Sequence, residues 1–495
     1  MLNKIFAVSI SALIFLLVGC EKSVYTPTND IVINTSDETV ISFSENEITV
    51  DGKIISADTD ESVYIANDII YYESGKDSSY GEGNENDAHQ SNEALAHSVI
   101  HITRPGVYRL SGTLSQGQIF VDLGDGAKKD ENAKVTLVLD NVDISCSVAP
   151  AILFYNVYEC GNKNEELASH TVDTANAGAN VIIADDSVNN ISGAYVAKIY
   201  SPGTTDKLHK YDGAFYSKCS MNIDGETRGN GILNITAENE GLNSELHLTV
   251  NGGNITISAQ NDGINTNEDN ISVTTVNGGS LTINAGLGEE GDGIDSNGYI
   301  VVNGGHIFAS ACDRTPDGGL DSDLGILLNG GTVIACGNQN GAISPESAQQ
   351  FMVMMLTKSL GANSTVCMLD KNQEILKFTT FKSCSSLVLS SPEIEGGKAY
   401  SITENGKEVT YSYSSGFTPG MFGENNMPPM GSQRPEGGGR FNNIPKTPEN
   451  IDEWLNNADI PEDIREWILA MKDFSDGFNM SGPFNPDTMK PVPNA

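Results

Sequence analysis

The residues best equipped for chemistry in this chain are acidic, and they recur at one spacing. Asp295 and Asp321 stand 26 residues apart, each at the fourth place of a phrase that runs acidic, Gly, apolar, Asx, hydroxyl. The phrase reads Glu240–Ser244, Asp262–Thr266, Asp292–Ser296 and, with glycine in the acidic place, Gly318–Ser322, so Asn243 and Asn265 hold the place that Asp295 and Asp321 take later. Asp317 and Asp323 flank the last copy. If the copies stack, carboxylates about 5 Å apart repel by about 1 kcal/mol in water and several-fold more beside a low-dielectric wall. A hard cation relieves that repulsion best, and Ca²⁺ takes six to eight oxygen ligands in loose geometry. One or more Ca²⁺ sites are therefore expected from Asp292, Asp295, Asp317, Asp321 and Asp323. The alternative is an ion-free acidic ladder whose carboxyls have raised pKa values.

A second constellation breaks the acidic background. Tyr195, Tyr200, Tyr211, Phe215 and Tyr216 alternate with Lys198, Lys207, Lys210 and Lys218, whereas from Cys219 to Thr357 the basic side chains are Arg228 and Arg314. Sugar rings dock on aromatic faces and uronates favour Lys. Tyr195, Tyr200, Lys207, Lys210, Tyr211 and Tyr216 are thus the candidate glycan contacts. The competing reading is an insertion whose aromatics cover the body of the protein and whose lysines are solvated.

Catalysis has less to work with. A lyase needs a base near the metal, and within the repeats only Arg314, beside Asp313 and Asp317, is available; an arginine among acids stays protonated. A hydrolase needs two carboxylates, a signal worth little where acids abound. Phosphate loops, zinc helices and nucleophile elbows are absent from the sequence. No catalytic residue is assigned. His247 and His306 read as isolated strand-surface residues.

The elements that must position these groups announce themselves by period. Val-Asn-Gly-Gly at Val250–Gly253, Val276–Gly279 and Val302–Gly305, then Leu328–Gly331, sets Asn251, Asn277, Asn303 and Asn329 at 26-residue intervals. Apolar alternation follows each turn (Ile255 and Ile257, Leu281 and Ile283, Ile307, Val333). Short period-two runs bounded by Gly, Asn and Asp mean strands and turns, and a fixed repeat this long means stacked units that bury their inward residues only against neighbours. A parallel β-helix is the fold expected, with the asparagines as an amide ladder and the glycines supplying positive φ. Tandem hairpins in a sandwich are the alternative.

Composition fits an exported β protein. Sixty-six acidic against 28 basic residues give a net charge of −38, a poor match to nucleic acid or an anionic bilayer, and 51 glycines fit a turn-rich fold. Residues 1–20 form a lipoprotein signal: Lys4, an apolar Ile5–Val18, and Leu17-Val-Gly-Cys20, whose cysteine would be acylated and hold the mature chain to the cell membrane, outside the cytoplasm. Residues 21–99 are expected to be a tether and irregular β segment with a mobile acidic loop at 73–93, and residues 100–341 the parallel β-helix. Residues 342–412 should be a capping β unit, 413–446 a Gly/Pro/Met-rich linker, and 447–474 a short helical hairpin carrying Trp454 and Trp467. A monomer is expected. Most cysteines are expected as buried thiols; Cys312 with Cys336 and Cys367 with Cys384 are the pairs whose spacing would let them face each other.

Gly106–Asp122, Val135–Ile144, Pro150-Ala-Ile152, Val181–Ile183, the Asp-Gly-Ile phrases and Ser385–Glu393 resemble the bacterial carbohydrate-binding β-helix lipoproteins, which are similar in shape to pectate lyases. The resemblance covers roughly residues 100–405. It implies a right-handed β-helix at the cell surface, calcium in the body of the protein, and binding of cellulose- or pectin-type polysaccharide without an established catalytic role. Two further readings stand beside it: a calcium-dependent pectate-lyase-like or hydrolytic enzyme, and a structural or adhesive surface rod.

Overall fold

A computed structural model describes residues 38–44 and 47–413. The signal segment with Cys20, the Gly/Pro/Met-rich stretch after residue 413 and the helices expected at 447–474 lie outside the described residues. Among the described residues the chain is almost entirely β, with one four-residue α-helix at Ser91–Ala94, and no helix is long and apolar enough to cross a membrane.

Each circuit of the chain lays one strand on each of three faces. On the first face Val135–Leu139 pairs in parallel with Ala179–Ile183, then come Met221–Gly225, His247–Val250, Val273–Val276, Tyr299–Val302 and Gly325–Leu328. The second stacks Val188–Gly193, Ile232–Ala237, Asn254–Ala259, Ser280–Asn284, His306–Ser310 and Thr332–Gly337. The third is a separate eight-stranded sheet from Val63–Ala66 to Ile294–Ser296. The sheet begins earlier than the expected boundary at residue 100, since Glu38–Phe43 already pairs in parallel with Gly106–Leu114.

Period two explains the core. Ile255, Ile257, Leu281, Ile283, Ile307 and Val333 all point inward and are buried, as are Ile264, Ile294 and Leu320 on the third face. They form one continuous apolar column. At the turn between the first two faces, Asn277 Nδ2 donates to Asn251 Oδ1 (2.8 Å), Asn303 to Asn277 (2.9 Å) and Asn329 to Asn303 (2.9 Å). The following Gly279 has φ +79°, and a Cβ there would lie 2.6 Å from the Gly253 carbonyl oxygen, so glycine is required twice over.

The stack ends in antiparallel strands. Cys384–Ser390 runs antiparallel to Thr332–Gly337 and is flanked on its other edge by Phe351–Leu360, with a second core around Met354, Met368, Leu387 and Ile402. The cysteines among the described residues are free; Cys146, Cys219, Cys312, Cys336 and Cys384 are buried. The pairs suggested by spacing do not form. Cys336 lies across from Ser310 rather than Cys312 and instead adjoins Cys384, while Cys367 reaches Glu374.

Candidate functional site

The third face carries one matched position from circuit to circuit, buried at Leu153, Tyr216 and Asn243, and its chemistry changes along the stack. His101 is matched by Phe120, Phe120 by Leu153, Leu153 by Tyr216 and Tyr216 by Asn243. Asn243 is then matched by Asn265 and Asn265 by Asp295, and the Ile294–Leu320 bridge brings Asp321 next. The position thus runs from rings, interrupted by Leu153, to amide to acid. At the aromatic end Tyr64 stacks on His101 with ring centres 4.4 Å apart, and Phe120 sits 5.2 Å from His101. That aromatic end lies where the sequence shows no repeat, and it was legible only once strand register was known.

At the acidic end, Asp295 and Asp321 are neighbours as their 26-residue spacing required. A second acidic row runs beside them. Asp292 N donates to Asp262 Oδ1 (2.7 Å), Gly318 N to Asp292 Oδ1 (2.6 Å) and Gly291 N to Asp317 Oδ2 (2.7 Å). Asn265 Nδ2 donates to Glu240 Oε1 at 3.1 Å, while its Oδ1 is buried and accepts from no group. Burial, reinforced by Asp262, Asp321 and Asp317, pushes Asp292 up to about 9 despite its bond from Gly318. Asp295 rises to about 7 through burial and the charges of Asp321 and Asp323, and Asp321 rises for the same kinds of reason. Glu240 is pushed up to about 8 by burial and by Asp212, and Asp262 is raised strongly by burial and by Glu240.

The ladder is therefore longer than the five aspartates singled out from sequence. Glu240, Asp262 and Asp212 belong to it, with exposures of 6%, 8% and 7%. Asp323 is exposed at its edge and acts through its charge on Asp295 and Asp321. Among the described residues, no three His, Cys, Asp or Glu side chains converge as a ready metal cage. The oxygens are strung along the stack instead.

The basic aromatic segment folds as a hairpin, Val196–Tyr200 against Lys207–Tyr211, followed by the buried strand Gly213–Ser217. Tyr211 and Tyr216 are 1% exposed and pack against each other at 5.1 Å. They are core residues, a correction to their reading as glycan contacts. The other four candidates are at the surface but engaged. Tyr195 bonds Asp87, Tyr200 donates to Glu82 Oε1 (2.9 Å), Lys207 pairs with Glu245 (3.3 Å) and Lys210 with Asp212 (2.8 Å). The acidic loop expected to be mobile is thereby docked: Glu82 also receives Lys198, and Tyr72 is buried beneath it. His247 is likewise buried at 3%, its Nδ1 accepting from Val273 N, and burial pushes it down to about 4; only His306 is on the surface as expected.

Besides Lys210 at Asp212, Arg314 and Lys382 border the acids. Arg314 is exposed and near Asp313 (3.9 Å). Lys382, from the terminal β unit, donates to Asn284 Oδ1 (2.5 Å) and the Ala285 carbonyl (2.6 Å), and burial lowers it to about 8. Nothing in the repeat pattern pointed to Lys382, because it comes from outside the repeats.

Comparison with known proteins follows this geometry. A relative from Acetivibrio thermocellus, described as a carbohydrate-binding domain-containing protein, is 28% identical over 159 residues, which is 32% of this chain and 44% of that one. The chain thus matches less than half of that relative's length. A solved structure described as the polysaccharide lyase-like protein from C. thermocellum, in a gadolinium derivative, aligns with 63% of this chain and 92% of its own at 18% identity and a TM-score of 0.33. The sequence model of one family spans residues 96–405, well over half of the chain, and by that match the protein belongs to the carbohydrate-binding domain-containing protein family.

Proposed function

We propose that this protein is a cell-surface, lipid-anchored polysaccharide-binding protein. In this reading its stacked circuits are a right-handed parallel β-helix with a terminal β cap, and it holds acidic plant cell-wall polymers of the pectin type through calcium, without catalysis. Cellulose-type glucan is the other substrate class within this reading. One observation carries it: the column Asn243–Asn265–Asp295–Asp321 with the parallel acids Glu240, Asp262, Asp292 and Asp317. All its donors are oxygens, which suits a hard cation, and Asn265 Oδ1 is an acceptor with nothing to accept from. Because no three carboxylates among the described residues form a cage, an ion here would take few ligands from the protein and the rest from water and the polymer's uronates. That arrangement lets an acidic protein hold an acidic polymer.

Asp295, Asp321 and the Asn265 amide oxygen are the residues to hold such an ion, with Asp292 and Asp317 beside them and Asp323 at the rim. The cation supplies charge neutralisation between protein and polymer carboxylates. Catalysis is left out because Lys382 has its amine committed to two acceptors and Arg314 adjoins Asp313. The test is retention on insoluble pectin and on polygalacturonate with Ca²⁺ and with chelator, using wild type and Asp295→Asn/Asp321→Asn. Retention lost in chelator and in the double variant is expected; retention indifferent to both sinks the calcium reading. Formation of unsaturated product, read by ultraviolet absorbance, would overturn the non-catalytic part.

A further inference from the structure

The first face has a site of its own. Residues 170–175 lie beside the strands Met221–Gly225, His247–Val250 and Val273–Val276 and with them line an open groove of about 390 Å³, within the range of ligand pockets. Its floor is a hydroxyl and amide surface. Asn222, Thr249 and Thr275 occupy one position on successive circuits, and two residues further along the same strands the asparagine ladder forms its wall.

The arch is hydrogen-bonded to its floor through Thr174. Thr174 Oγ1 meets Thr249 Oγ1 at 2.7 Å, and the Thr174 carbonyl accepts from Asn222 Nδ2 at 2.7 Å. Val172 packs beside Val273, Val301 and Leu327, and His170 sits edge-on to Tyr299 at 5.8 Å. Asn222 is 5% exposed, its Nδ2 is shared between Thr174 and Asn180, and its Oδ1 accepts from no group. A buried acceptor without a donor is unfavourable, and a ligand hydroxyl in the cavity is a donor of the right kind. Asp173 and Asp224 line the space, while no Lys or Arg does, so a uronate carboxylate is repelled here. Along the stack the wall from Asn251 to Asn329 spans three circuit steps, about 14 Å at the inter-strand spacing, long enough for several sugar units.

We infer that this groove binds a neutral, hydroxyl-rich glycan chain lying along the stack, held by amide and threonine hydrogen bonds and needing no metal. The inference rests on the carbohydrate-binding reading but not on calcium, and it moves the neutral-glycan contact away from the 195–218 hairpin.

Calorimetric titration of the full chain with neutral β-1,4-linked hexasaccharides of glucose, xylose and mannose, all in EDTA, tests it. At least one should bind. Ala175→Trp, at an exposed position on the arch, fills the groove and should weaken that binding at least about tenfold, the worth of a lost hydrogen bond or more. Should that variant fail to fold by circular dichroism, Asn303→Ala at the exposed wall decides, with a weakening of about threefold or more expected. Asp295→Asn/Asp321→Asn should leave the sugar affinity unchanged. No binding by any of the three sugars, or equal binding by the folded groove variant, overturns the proposal. If the sugars fail while calcium-dependent retention on polygalacturonate persists, the groove is refuted and the calcium reading stands; the reverse pattern refutes calcium and keeps the groove.

Discussion

At the scale of residues, the acidic ladder makes stability depend on pH in a definite direction. Asp292, Asp295 and Glu240 have folded-state values of about 9, 7 and 8, all above the ordinary carboxylate values of about 4 in an unfolded chain. The folded state therefore binds more protons than the unfolded state between those limits, and stability falls as pH rises from about 4 to about 9. In chelator the thermal midpoint should drop steadily from pH 5 to pH 9. Asp292→Asn should flatten that slope and raise the midpoint at pH 8, because an amide oxygen can still accept from Gly318 N without the buried charge. If the proposed calcium site exists, added Ca²⁺ recovers most of the loss at pH 8 in wild type and little in the variant. A midpoint that is flat with pH in chelator would mean the carboxylates ionise freely.

Arg109 solves the same problem of crowded acids with a protein cation. Its guanidinium donates to Glu38 (2.7 Å), Asp140 (3.1 Å) and Glu226 (3.0 Å), tying the first strand to two later circuits. Glu38 has only 5% of its side chain exposed, so Arg109→Met leaves a poorly solvated anion next to two others. The expected cost is on the order of 3 kcal/mol, read by denaturant unfolding. Arg109→Met combined with Glu38→Gln should recover part of it, since the double change removes the stranded charge.

At the scale of elements, what was legible depended on repetition. The 26-residue spacing gave the strands, the inward residues, the asparagine ladder and the Asp295–Asp321 contact, because stacking converts sequence period into spatial adjacency. Where circuits differ in length that conversion fails. Glu240, Asp262 and Asp292 sit in register although 22 and 30 residues separate them, so the full extent of the ladder was not countable from spacing. The 195–218 segment misled for another reason: interleaved aromatics and lysines look alike in a binding face and in a hairpin that buries Tyr211 and spends its lysines on Glu82, Glu245 and Asp212. The 170–175 arch has no sequence signal, since its partners are brought under it by the stack.

The turn chemistry can be tested at this scale. Gly279→Ala would place a Cβ 2.6 Å from the Gly253 carbonyl oxygen at φ +79°. Both the left-handed backbone and the close approach are unfavourable, and a loss of about 1–3 kcal/mol is expected. Gly124→Ala is the matching control, with φ +90° but no atom within 4 Å; it should lose only the backbone share. Equal losses in the two would assign the whole effect to φ and remove the packing argument for Gly-Gly.

At the scale of the whole molecule, the question is what stops the stack from growing. Thr332–Gly337 is the last parallel strand of the second face, and its free edge is taken by Cys384–Ser390 running the other way. The same terminal unit folds over outward apolar groups: Phe308 lies 4.9 Å from Phe381 and 5.8 Å from Phe378, and Ile334 belongs to the second core. Lys382 reaches back two circuits to Asn284 and Ala285. Ending the chain after residue 341 would therefore open a flat apolar edge and uncover Phe308 and Ile334 together. Open edges of this kind recruit strands from other molecules. The truncated protein should sediment as concentration-dependent oligomers despite its high negative charge, while the full chain does not share that behaviour. Phe308→Lys with Ile334→Lys in the truncated chain should restore a monomer, since charged side chains on an edge oppose pairing. A truncated chain that stays monomeric without them would show that net charge alone, and not the antiparallel cap, limits association.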